Sequence, residues 1–506
     1  MFPGTHSAVT PNKAAVIVAS TGATITYAEL EERSARFARW MVGAGLRRGD
    51  HIAVLSDNDP TVFELYWGAM RSGLYITTVN HHGTVDDLAY VITDSDAKVF
   101  VASAALTELA SDLAGRVPAD CVRLAFGGTV TGYGSYEDAV GSVSAQPLPY
   151  QPCEADMVYS SGTTGRPKGI KSPLPDRQVH EAPGLPVTPI VETFYGFGAD
   201  TVYLSPAPIY HAAPLRYCTA TQSLGGTVVL MDRFDARDAL AAIERYSVTH
   251  SQWVPTHFIR MLKLPEEERG RYDLSSLRVA VHAAAPCPAE VKEAMLDWWG
   301  ELLYEYYSCS ENNGSTLIDS AEWRRKPGSV GRDGVQGIAH ICGDDGRELG
   351  PGEVGLLYFE RDDWSFEYHN DPEKTAAARH PDHPTWTTVG DIGYLDEDRY
   401  LYLTDRATFM IISGGVNIYP QQIESCLSVH PAIWDVAVVG VPDAEMGQSV
   451  QAVVQLVPGI SPSDDLARDI VGFARARLAH YMCPREVRFV DALPRTETGK
   501  LAKHRL

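Results

Sequence analysis

The sequence predicts an α/β protein with a large N-terminal domain of doubly wound sheets, a β-rich subdomain at the end of that domain, and a small C-terminal α+β domain. Three observations predict this class. The chain has 506 residues, which is more than one hydrophobic core usually supports. Short apolar segments alternate with amphipathic ones as far as about residue 300, the pattern of parallel sheets covered by helices on both faces. The pattern changes to strands and tight turns near residue 350, and it changes again after Asp405.

The first predicted helix begins at a capping box. Thr26 and Glu29 have the spacing at which each side chain bonds the backbone N–H of the other residue. Leu30, Phe37, Trp40 and Met41 then recur along one helical face. The segments that follow are predicted, in order, as a strand at 51–57, a helix at 62–73 and strands at 75–80 and 98–103.

The alternation of strands and helices resumes in the second half of the large domain. It predicts strands at 227–231, 248–255 and 277–284 and a helix at 289–300. Residues 171–192 contain five prolines and no predicted helix, so we expect a stiff, extended connection there. Segments 352–359 and 393–403 then predict strands of the β-rich subdomain, the second with an acidic turn in its middle.

The last hundred residues form a separate pattern. Helices are predicted near 420–429 and 465–479, and strands at 434–441, 449–457 and 487–490. This order is typical of a small α+β domain. We therefore predict two domains, residues 1–404 and 405–506.

Composition excludes several classes of protein. The chain has 65 acidic and 43 basic residues, a net charge of -22, which argues against nucleic acid or an anionic membrane as the main partner. No segment approaches the ~18 apolar residues of a membrane span, and the N-terminus lacks the pattern of a secretory signal. The eight cysteines form no CxxC or Cys/His cluster, which disfavours structural zinc and indicates reduced thiols. We expect a cytoplasmic protein, with a homodimer as the default assembly.

The segment YSSGTTGRPKGI, residues 159–170, is the strongest local motif. Glycine backbone N–H groups, hydroxyls and a lysine suit phosphate oxygens, although a surface turn can have the same composition. A Walker A loop is excluded because Pro167 stands where the second glycine is needed, and neither GxGxxG nor GxSxG fits elsewhere. The candidate phosphate ligands are Ser160, Ser161, Gly162, Thr163, Thr164, Gly165 and Lys168.

Residues 160–169 closely resemble the phosphate-loop signature of the adenylate-forming superfamily, which includes acyl-CoA ligases, luciferases and peptide-synthetase adenylation domains. Further motifs at 208–214, 304–314, 385–395, 402–424 and 493–501 resemble those of the family, in the family's order. The resemblance implies ATP, giving AMP, together with Mg²⁺ and coenzyme A as cofactors, and a C-terminal domain that moves as a lid.

Two of these motifs lie in the large domain before residue 320. In PIYHAAP, residues 208–214, the resemblance implies that His211 borders the acid substrate, whereas an isolated histidine there is more often a packed core residue. In YEYYSCSENNG, residues 304–314, it implies that Tyr307 stacks on adenine and Glu311 holds Mg²⁺. Ser310 keeps the hydroxyl of the threonine usual in the family but lacks its methyl group.

The remaining motifs are near the C-terminus. The resemblance implies that Asp391 accepts the ribose hydroxyls, with Arg406 as a second ribose contact, although an Asp-x-Gly is also a common turn. Asp405 is the expected hinge between the domains, and Lys500 is the expected adenylation lysine. Gly414 and Gly415 are expected to line the tunnel of the thiol substrate.

The function implied is that of an acyl-CoA ligase: a carboxylic acid and ATP form an acyl-adenylate, and CoA then displaces AMP. The neighbourhood of the motifs is most similar to ligases for bulky acids of the steroid and bile-acid type. Ser310 and Val389, in place of the usual threonines, leave open an enzyme that mainly performs thioester formation on a supplied acyl-adenylate. A luciferase-like oxidation and a non-catalytic nucleotide-binding protein are the alternatives from other classes.

Overall fold

The computed structural model describes the chain except for residues 154, 161–165, 363–365, 407–408, 415, 444–445, 496–500, 502 and 504–505, and except for the side chains of residues 405–406. The helices are α1 (Pro3–Ser7), α2 (Tyr27–Gly43), α3 (Thr61–Met70), α4 (Val85–Asp94), α5 (Thr107–Leu113), α6 (Tyr136–Gly141), α7 (Thr188–Tyr195), α8 (Ala212–Ser223), α9 (Ala236–Tyr246), α10 (Pro255–Leu262), α11 (Glu266–Arg269), α12 (Ala289–Trp299), α13 (Ser320–Arg325), α14 (Pro372–Ala377), α15 (Pro420–Ser428) and α16 (Asp464–Arg475).

The strands follow the same numbering along the chain. They are β1 (Ala14–Val18), β2 (Thr24–Thr26), β3 (His51–Leu55), β4 (Tyr75–Val79), β5 (Ala97–Ser103), β6 (Val122–Phe126), β7 (Gly134–Ser135), β8 (Val158–Ser160), β9 (Lys168–Lys171), β10 (Val202–Ser205), β11 (Thr227–Leu230), β12 (His250–Trp253), β13 (Val279–His282), β14 (Leu303–Ser308), β15 (Ser315–Asp319), β16 (Arg332–Gln336), β17 (Ile338–Cys342), β18 (Gly355–Glu360), β19 (Glu367–Tyr368), β20 (Trp386–Thr387), β21 (Asp391–Leu395), β22 (Leu401–Arg406), β23 (Ile411–Ser413), β24 (Val416–Ile418), β25 (Ile433–Asp443), β26 (Gly447–Leu456) and β27 (Glu486–Val490).

The chain divides into two units by its internal contacts. The first unit comprises residues 1–252, 264–280 and 365–376, and the second comprises residues 253–263, 281–364 and 377–506. The predicted boundary at residue 405 lies inside the second unit and stays a prediction.

The first unit contains two largely parallel sheets. One has the order β4-β3-β5-β6-β7 and is parallel throughout. In the other, β12, β10, β11, β1 and β2 are neighbours in that order, and only the β1–β2 pair is antiparallel. Strands β3 and β4 are buried along their whole length, as expected of parallel strands covered on both faces. The predicted α/β class is confirmed.

The helix predicted from the capping box is α2. Thr26 accepts a hydrogen bond from the Glu29 backbone N–H at 3.2 Å, and the Glu29 carboxylate accepts one from the Thr26 backbone N–H at 2.8 Å. Leu30, Phe37 and Met41 are buried as predicted, whereas Trp40 is only half-buried. The local signal was sufficient here because both partners lie within one turn.

The second unit is mainly antiparallel, and in its C-terminal sheet only the β26–β27 pair is parallel. Strands β14, β15 and β16 form one antiparallel run, and β17, β18, β21 and β22 form a sheet to which β20 adds beside β18. Strands β18, β20, β21 and β22 belong to the β-rich part that the sequence predicts after residue 350, whereas β14 to β17 precede that residue.

The last hundred residues build a sheet of their own, with the order β24-β23-β26-β25 and with β27 parallel to β26. Its core of buried residues is drawn from residues 411–483, including Ile423, Val438, Ala452 and Ile470. The core therefore lies within the predicted C-terminal domain.

One prediction about the connection after the phosphate-loop motif is wrong. Residues 171–192 were expected to contain no helix, but α7 begins at Thr188. Pro189 lies in its first turn, where a proline loses no helical hydrogen bond because the N–H it lacks has no partner there. In the part of the chain that the structure describes, no helix is long and apolar enough to cross a bilayer.

Candidate active site

The flanks of the predicted phosphate loop form a β-hairpin in the first unit. Ser160 at the end of β8 pairs with Lys168 at the start of β9. The neighbouring Tyr159 hydroxyl donates a hydrogen bond to Asp94 at 2.7 Å, and Arg166 lies 5.0 Å from the centre of the Tyr90 ring. Both contacts attach the hairpin to α4. Ser161, Gly162, Thr163, Thr164 and Gly165 lie outside the described residues, so their predicted role stays a prediction.

A second cation lies in the same hairpin and was not singled out from the sequence. The Lys171 ammonium is 3.4 Å from His51 Nε2 and 4.8 Å from the centre of the Tyr75 ring. Burial, and then the nearby Lys171 charge, lowers the pKa of His51 to about 3. His51 is therefore neutral at physiological pH. It adds no charge next to the Lys171 ammonium.

His211 stands at the N-cap position of α8. Its ring is 4.4 Å from that of Tyr210, which in turn lies 5.3 Å from His81 and 6.2 Å from His82. His81 and His82 are themselves 4.0 Å apart. The structure thus collects three histidines around one buried tyrosine in the first unit.

Sequence reasoning found His211 but not its two histidine neighbours. A signal was available, because His81 and His82 are consecutive and directly follow a predicted strand. Side chains at the carboxyl end of a parallel strand are often functional.

In the second unit, Tyr307 and Glu311 share one hairpin. Tyr307 lies near the end of β14, and Ser310 and Glu311 lie in the turn that β14 and β15 close through the pair Ser308 and Ser315. Glu311 is buried. Gly314 is required in this turn because a Cβ there would lie 2.0 Å from the Phe359 ring.

Asp391 meets this hairpin at the start of β21. The Tyr307 hydroxyl donates a hydrogen bond to Asp391 Oδ2 at 2.5 Å. Asp391 is 6% exposed and pairs through its backbone with Arg406 across β21 and β22. The structure therefore brings together four of the predicted nucleotide positions in the second unit: Tyr307, Ser310, Glu311 and Asp391. The Arg406 side chain lies outside the described residues.

The donor set around Glu311 suits a hard cation. Mg²⁺ is usually bound through one or two carboxylates together with phosphate oxygens and water, and Glu311 offers a buried carboxylate. Among the described residues no group of three or more His, Cys, Asp or Glu side chains is arranged to hold a metal ion alone. Burial and the Glu311 charge raise the pKa of the neighbouring Cys309 thiol well above its usual range.

The remaining predicted positions lie near the C-terminus. Gly414 has φ +57°, and its backbone N–H donates to the Met446 carbonyl at 2.8 Å. A Cβ at Gly414 would lie 2.3 Å from the Met446 methyl carbon. Gly415 and Lys500 lie outside the described residues, and Asp405 is described by its backbone alone, in β22. The roles proposed for these residues stay predictions.

Comparison with known proteins matches residues 5–368 to a family described as AMP-binding enzyme and residues 422–500 to the AMP-binding enzyme C-terminal domain. Feruloyl-CoA synthase of Amycolatopsis sp is 32% identical over 498 residues, 97% of this chain and 94% of that protein. Long-chain-fatty-acid–CoA ligase FadD13 of Mycobacterium tuberculosis is 31% identical over 512 residues, 98% of this chain and 95% of that protein.

Solved structures agree with these matches along the whole chain. ATP-bound MatB from Rhodopseudomonas palustris is 27% identical, with a TM-score of 0.80 over 100% of this chain and 98% of that one. The amide bond synthetase McbA from Marinactinospora thermotolerans is 28% identical, with a TM-score of 0.81 over 99% of this chain and 98% of that one.

Proposed function

Because the chain belongs to the AMP-binding enzyme family and is an AMP-forming acid–CoA ligase, we propose that its substrate is a bulky, apolar carboxylic acid. The acid is converted to its CoA thioester through an acyl-adenylate, with release of pyrophosphate and then AMP. The observation that most supports the acyl-adenylate route is the hydrogen bond between Tyr307 and Asp391, close to Glu311. These three residues offer an aromatic face, a ribose acceptor and a cation ligand on adjoining segments.

Nucleotide binding is assigned first to the second unit. The Tyr307 ring would stack on adenine, and Asp391 would accept the ribose hydroxyls with its two oxygens. Since Asp391 already accepts the Tyr307 hydroxyl, its carboxylate is oriented before ATP arrives. Preorganisation of this kind reduces the entropy lost on binding.

The first half-reaction joins one anion to another. The acid carboxylate attacks the α-phosphate of ATP, and pyrophosphate leaves, so negative charge must be neutralised for the reacting atoms to meet. Mg²⁺ held by Glu311 would supply part of that neutralisation. Lys168 and the amides of residues 161–165 would bind the β- and γ-phosphates, and Lys500 would stabilise charge at the α-phosphate. One positioned cation of this type contributes on the order of 3 kcal/mol.

The second half-reaction needs a different arrangement of the same residues. The C-terminal domain would rotate about Asp405 and withdraw Lys500, and Gly414 and Gly415 would then line the path of the CoA thiol. The thiol attacks the acyl carbonyl, and AMP leaves with the electrons of the broken mixed-anhydride bond.

A bulky acid is supported by two observations. The relatives reported above are named for feruloyl and long-chain acyl groups. The proposed acid neighbour His211 lies in a group of aromatic rings with Tyr210, His81 and His82, and such rings provide wide apolar faces.

A second candidate is a ligase that mainly carries out thioester formation on a supplied acyl-adenylate. Ser310 and Val389 support it, since both replace the threonine usual at these positions and so alter the nucleotide motifs. A non-catalytic nucleotide-binding protein is less well supported, because the ligands for both ATP and the metal are retained.

The experiment that tests these proposals is a panel of acids incubated with ATP, Mg²⁺ and CoA. The panel contains polycyclic, aryl, long-chain and short-chain acids, and pyrophosphate, AMP and acyl-CoA are measured separately. The main proposal expects the highest kcat/KM with polycyclic or other bulky acids and equal amounts of the three products. Preference for a short-chain acid would refute the proposed substrate class. Acyl-CoA formed only from synthetic acyl-adenylate would instead select the second candidate.

A further inference from the structure

The segment that carries Lys500 is fastened at both ends by charged side chains. Before it, Arg495 forms a bidentate ion pair with Asp435, with Nε to Oδ2 at 2.5 Å and Nη2 to Oδ1 at 2.8 Å. After it, Lys503 pairs with Glu424 at 2.8 Å. Residues 496–500 themselves lie outside the described residues.

Both ion pairs are largely shielded from water. The Lys503 and Glu424 side chains are 9% and 10% exposed, and those of Arg495 and Asp435 are 23% and 19% exposed. Exposed ion pairs contribute little, whereas shielded pairs are screened less by solvent, and a bidentate pair such as Arg495–Asp435 also fixes geometry. These contacts are therefore suited to hold a chain in place.

Each acidic partner is itself fixed to the C-terminal sheet. Glu424, on α15, accepts a hydrogen bond from the Val438 backbone N–H at 2.7 Å. Asp435 accepts one from the Val436 backbone N–H at 2.8 Å. Since Val436 and Val438 both belong to β25, the Asp435 and Glu424 carboxylates are both hydrogen-bonded to the same strand.

Backbone and apolar contacts also attach the described residues on either side of Lys500 to the C-terminal sheet. Arg495 and Leu501, which lie on either side of residues 496–500, form a β-bridge. Leu493, Leu501 and Leu506 pack with Ala437 and Val453 on the β25–β26 pair. Leu493, Arg495, Leu501, Lys503 and Leu506 are thereby attached to the C-terminal sheet.

We propose that the Arg495–Asp435 and Lys503–Glu424 pairs are positioning elements for adenylation: they hold the residues on either side of Lys500 on the C-terminal sheet, so that this lysine can act at the α-phosphate. The inference rests on the proposed function of Lys500. Because Arg495 and Lys503 need not touch the substrate, they act through the placement of Lys500. Displacement of a catalytic group by about 1 Å can cost on the order of 100-fold in rate.

The test uses the full-length variants Arg495→Met and Lys503→Met, singly and together. Acid-dependent pyrophosphate release reports the first half-reaction, and acyl-CoA formation from synthetic acyl-adenylate reports the second. We expect each single variant to lower the kcat of the first by at least about tenfold, with little change in the KM for ATP and less than about a threefold change in the second. Arg468→Met is the matched control, because Arg468 forms an exposed pair with Asp465 on α16.

The results separate the inference from its premise. Equal loss in both half-reactions, or no loss in either, overturns the positioning role. If the wild type performs neither half-reaction, or if Lys500→Ala leaves pyrophosphate release intact, the proposed function of Lys500 fails, and the inference fails with it. If Arg495→Met does not fold, the exchanged pair Arg495→Asp/Asp435→Arg replaces it. Pyrophosphate release by the exchanged variant then supports the positioning role of the ion pair. Loss of pyrophosphate release while thioester formation remains intact overturns that role.

Discussion

The Tyr307 hydroxyl and the Asp391 carboxylate are joined by a hydrogen bond of 2.5 Å across 84 residues of sequence. The bond connects the end of β14 to the start of β21. It fixes the direction of a buried carboxylate whose proposed role is to accept the ribose hydroxyls. This relationship gives the first prediction.

Asp391→Ala is expected to weaken AMP binding by about 100-fold or more, because two hydrogen bonds to a charged group are lost, each worth about 1.5–3 kcal/mol. Tyr307→Phe keeps both the aromatic face and the carboxylate, so we expect only a three- to tenfold loss, on the order of 1 kcal/mol. Isothermal titration calorimetry with AMP measures both. Tyr304→Phe, on the same strand, is the control. Equal effects of Tyr307→Phe and Tyr304→Phe would contradict the orienting role.

Lys500→Ala is expected to reduce acid-dependent pyrophosphate release by on the order of 100-fold, since one positioned cation is removed from the α-phosphate. Thioester formation from synthetic acyl-adenylate should change little, because that step does not need the lysine. Rapid-quench assays of the two half-reactions measure the difference, with Lys98→Ala at an exposed position of β5 as control. A similar loss in both half-reactions would show that the role assigned to this lysine is wrong.

Patterns among neighbouring residues predict the helices and strands. Contacts between residues far apart in the sequence, which shape the site, are not visible in such patterns. The capping box of Thr26 and Glu29 and the buried strands β3 and β4 depend on neighbouring residues, so their pattern is visible in the sequence. The resemblance to a family placed Tyr307 and Asp391 among the nucleotide ligands. Their mutual hydrogen bond was not predictable, because it depends on how two strands of different sheets approach each other.

The histidines near His211 illustrate the same limit. His81 lies 130 positions earlier in the sequence, and only the folded chain brings it and His82 to Tyr210. In a similar way, the prolines of 171–192 predicted an extended segment, although Pro189 is compatible with the first turn of a helix. A proline therefore disfavours a helix at most positions but is compatible with one when it lies in the first turn.

A pH dependence of stability follows from His51. Its pKa is about 3 in the folded protein because of burial, and secondarily because of Lys171, against about 6.5 in an unfolded chain. The folded state therefore binds fewer protons than the unfolded state between these values. The free energy of unfolding should fall as the pH falls from 6.5 toward 3, with a contribution of up to about 1.4 kcal/mol per pH unit.

Urea unfolding at pH 7, 6, 5 and 4 measures this slope. His51→Gln removes the titrating group, so its free energy of unfolding should fall less steeply below pH 6.5 than that of the wild type. The slope, not the stability at pH 7, is the criterion, because the substitution also changes the packing against Tyr75. His480→Gln at an exposed position is the control. Identical slopes for the wild type and His51→Gln would disprove the assignment.

The last prediction concerns a buried ion pair that involves β14, the strand that also contains Tyr307. Lys292 on α12 contacts Glu305 on β14 at 2.6 Å, and their side chains are 0% and 7% exposed. His282, also buried, lies 3.7 Å from the same Glu305 oxygen, and the Lys292 ammonium is 4.9 Å from the centre of the Trp323 ring. Burial and then the Lys292 charge lower the pKa of His282 well below its usual range, so this histidine is neutral and cannot replace Lys292 as the cation.

Removing one member of this pair leaves the other charged in an apolar environment. We therefore expect Glu305→Leu or Lys292→Met to lower the free energy of unfolding by about 3–5 kcal/mol. The double variant Lys292→Met/Glu305→Leu should be more stable than either single variant, because neither charge then remains buried. Glu267→Gln, in an exposed pair with Arg271, should cost at most about 1 kcal/mol. Urea unfolding of the four variants measures the coupling, and additive losses in the double variant would show that the two side chains do not stabilise the fold as a pair.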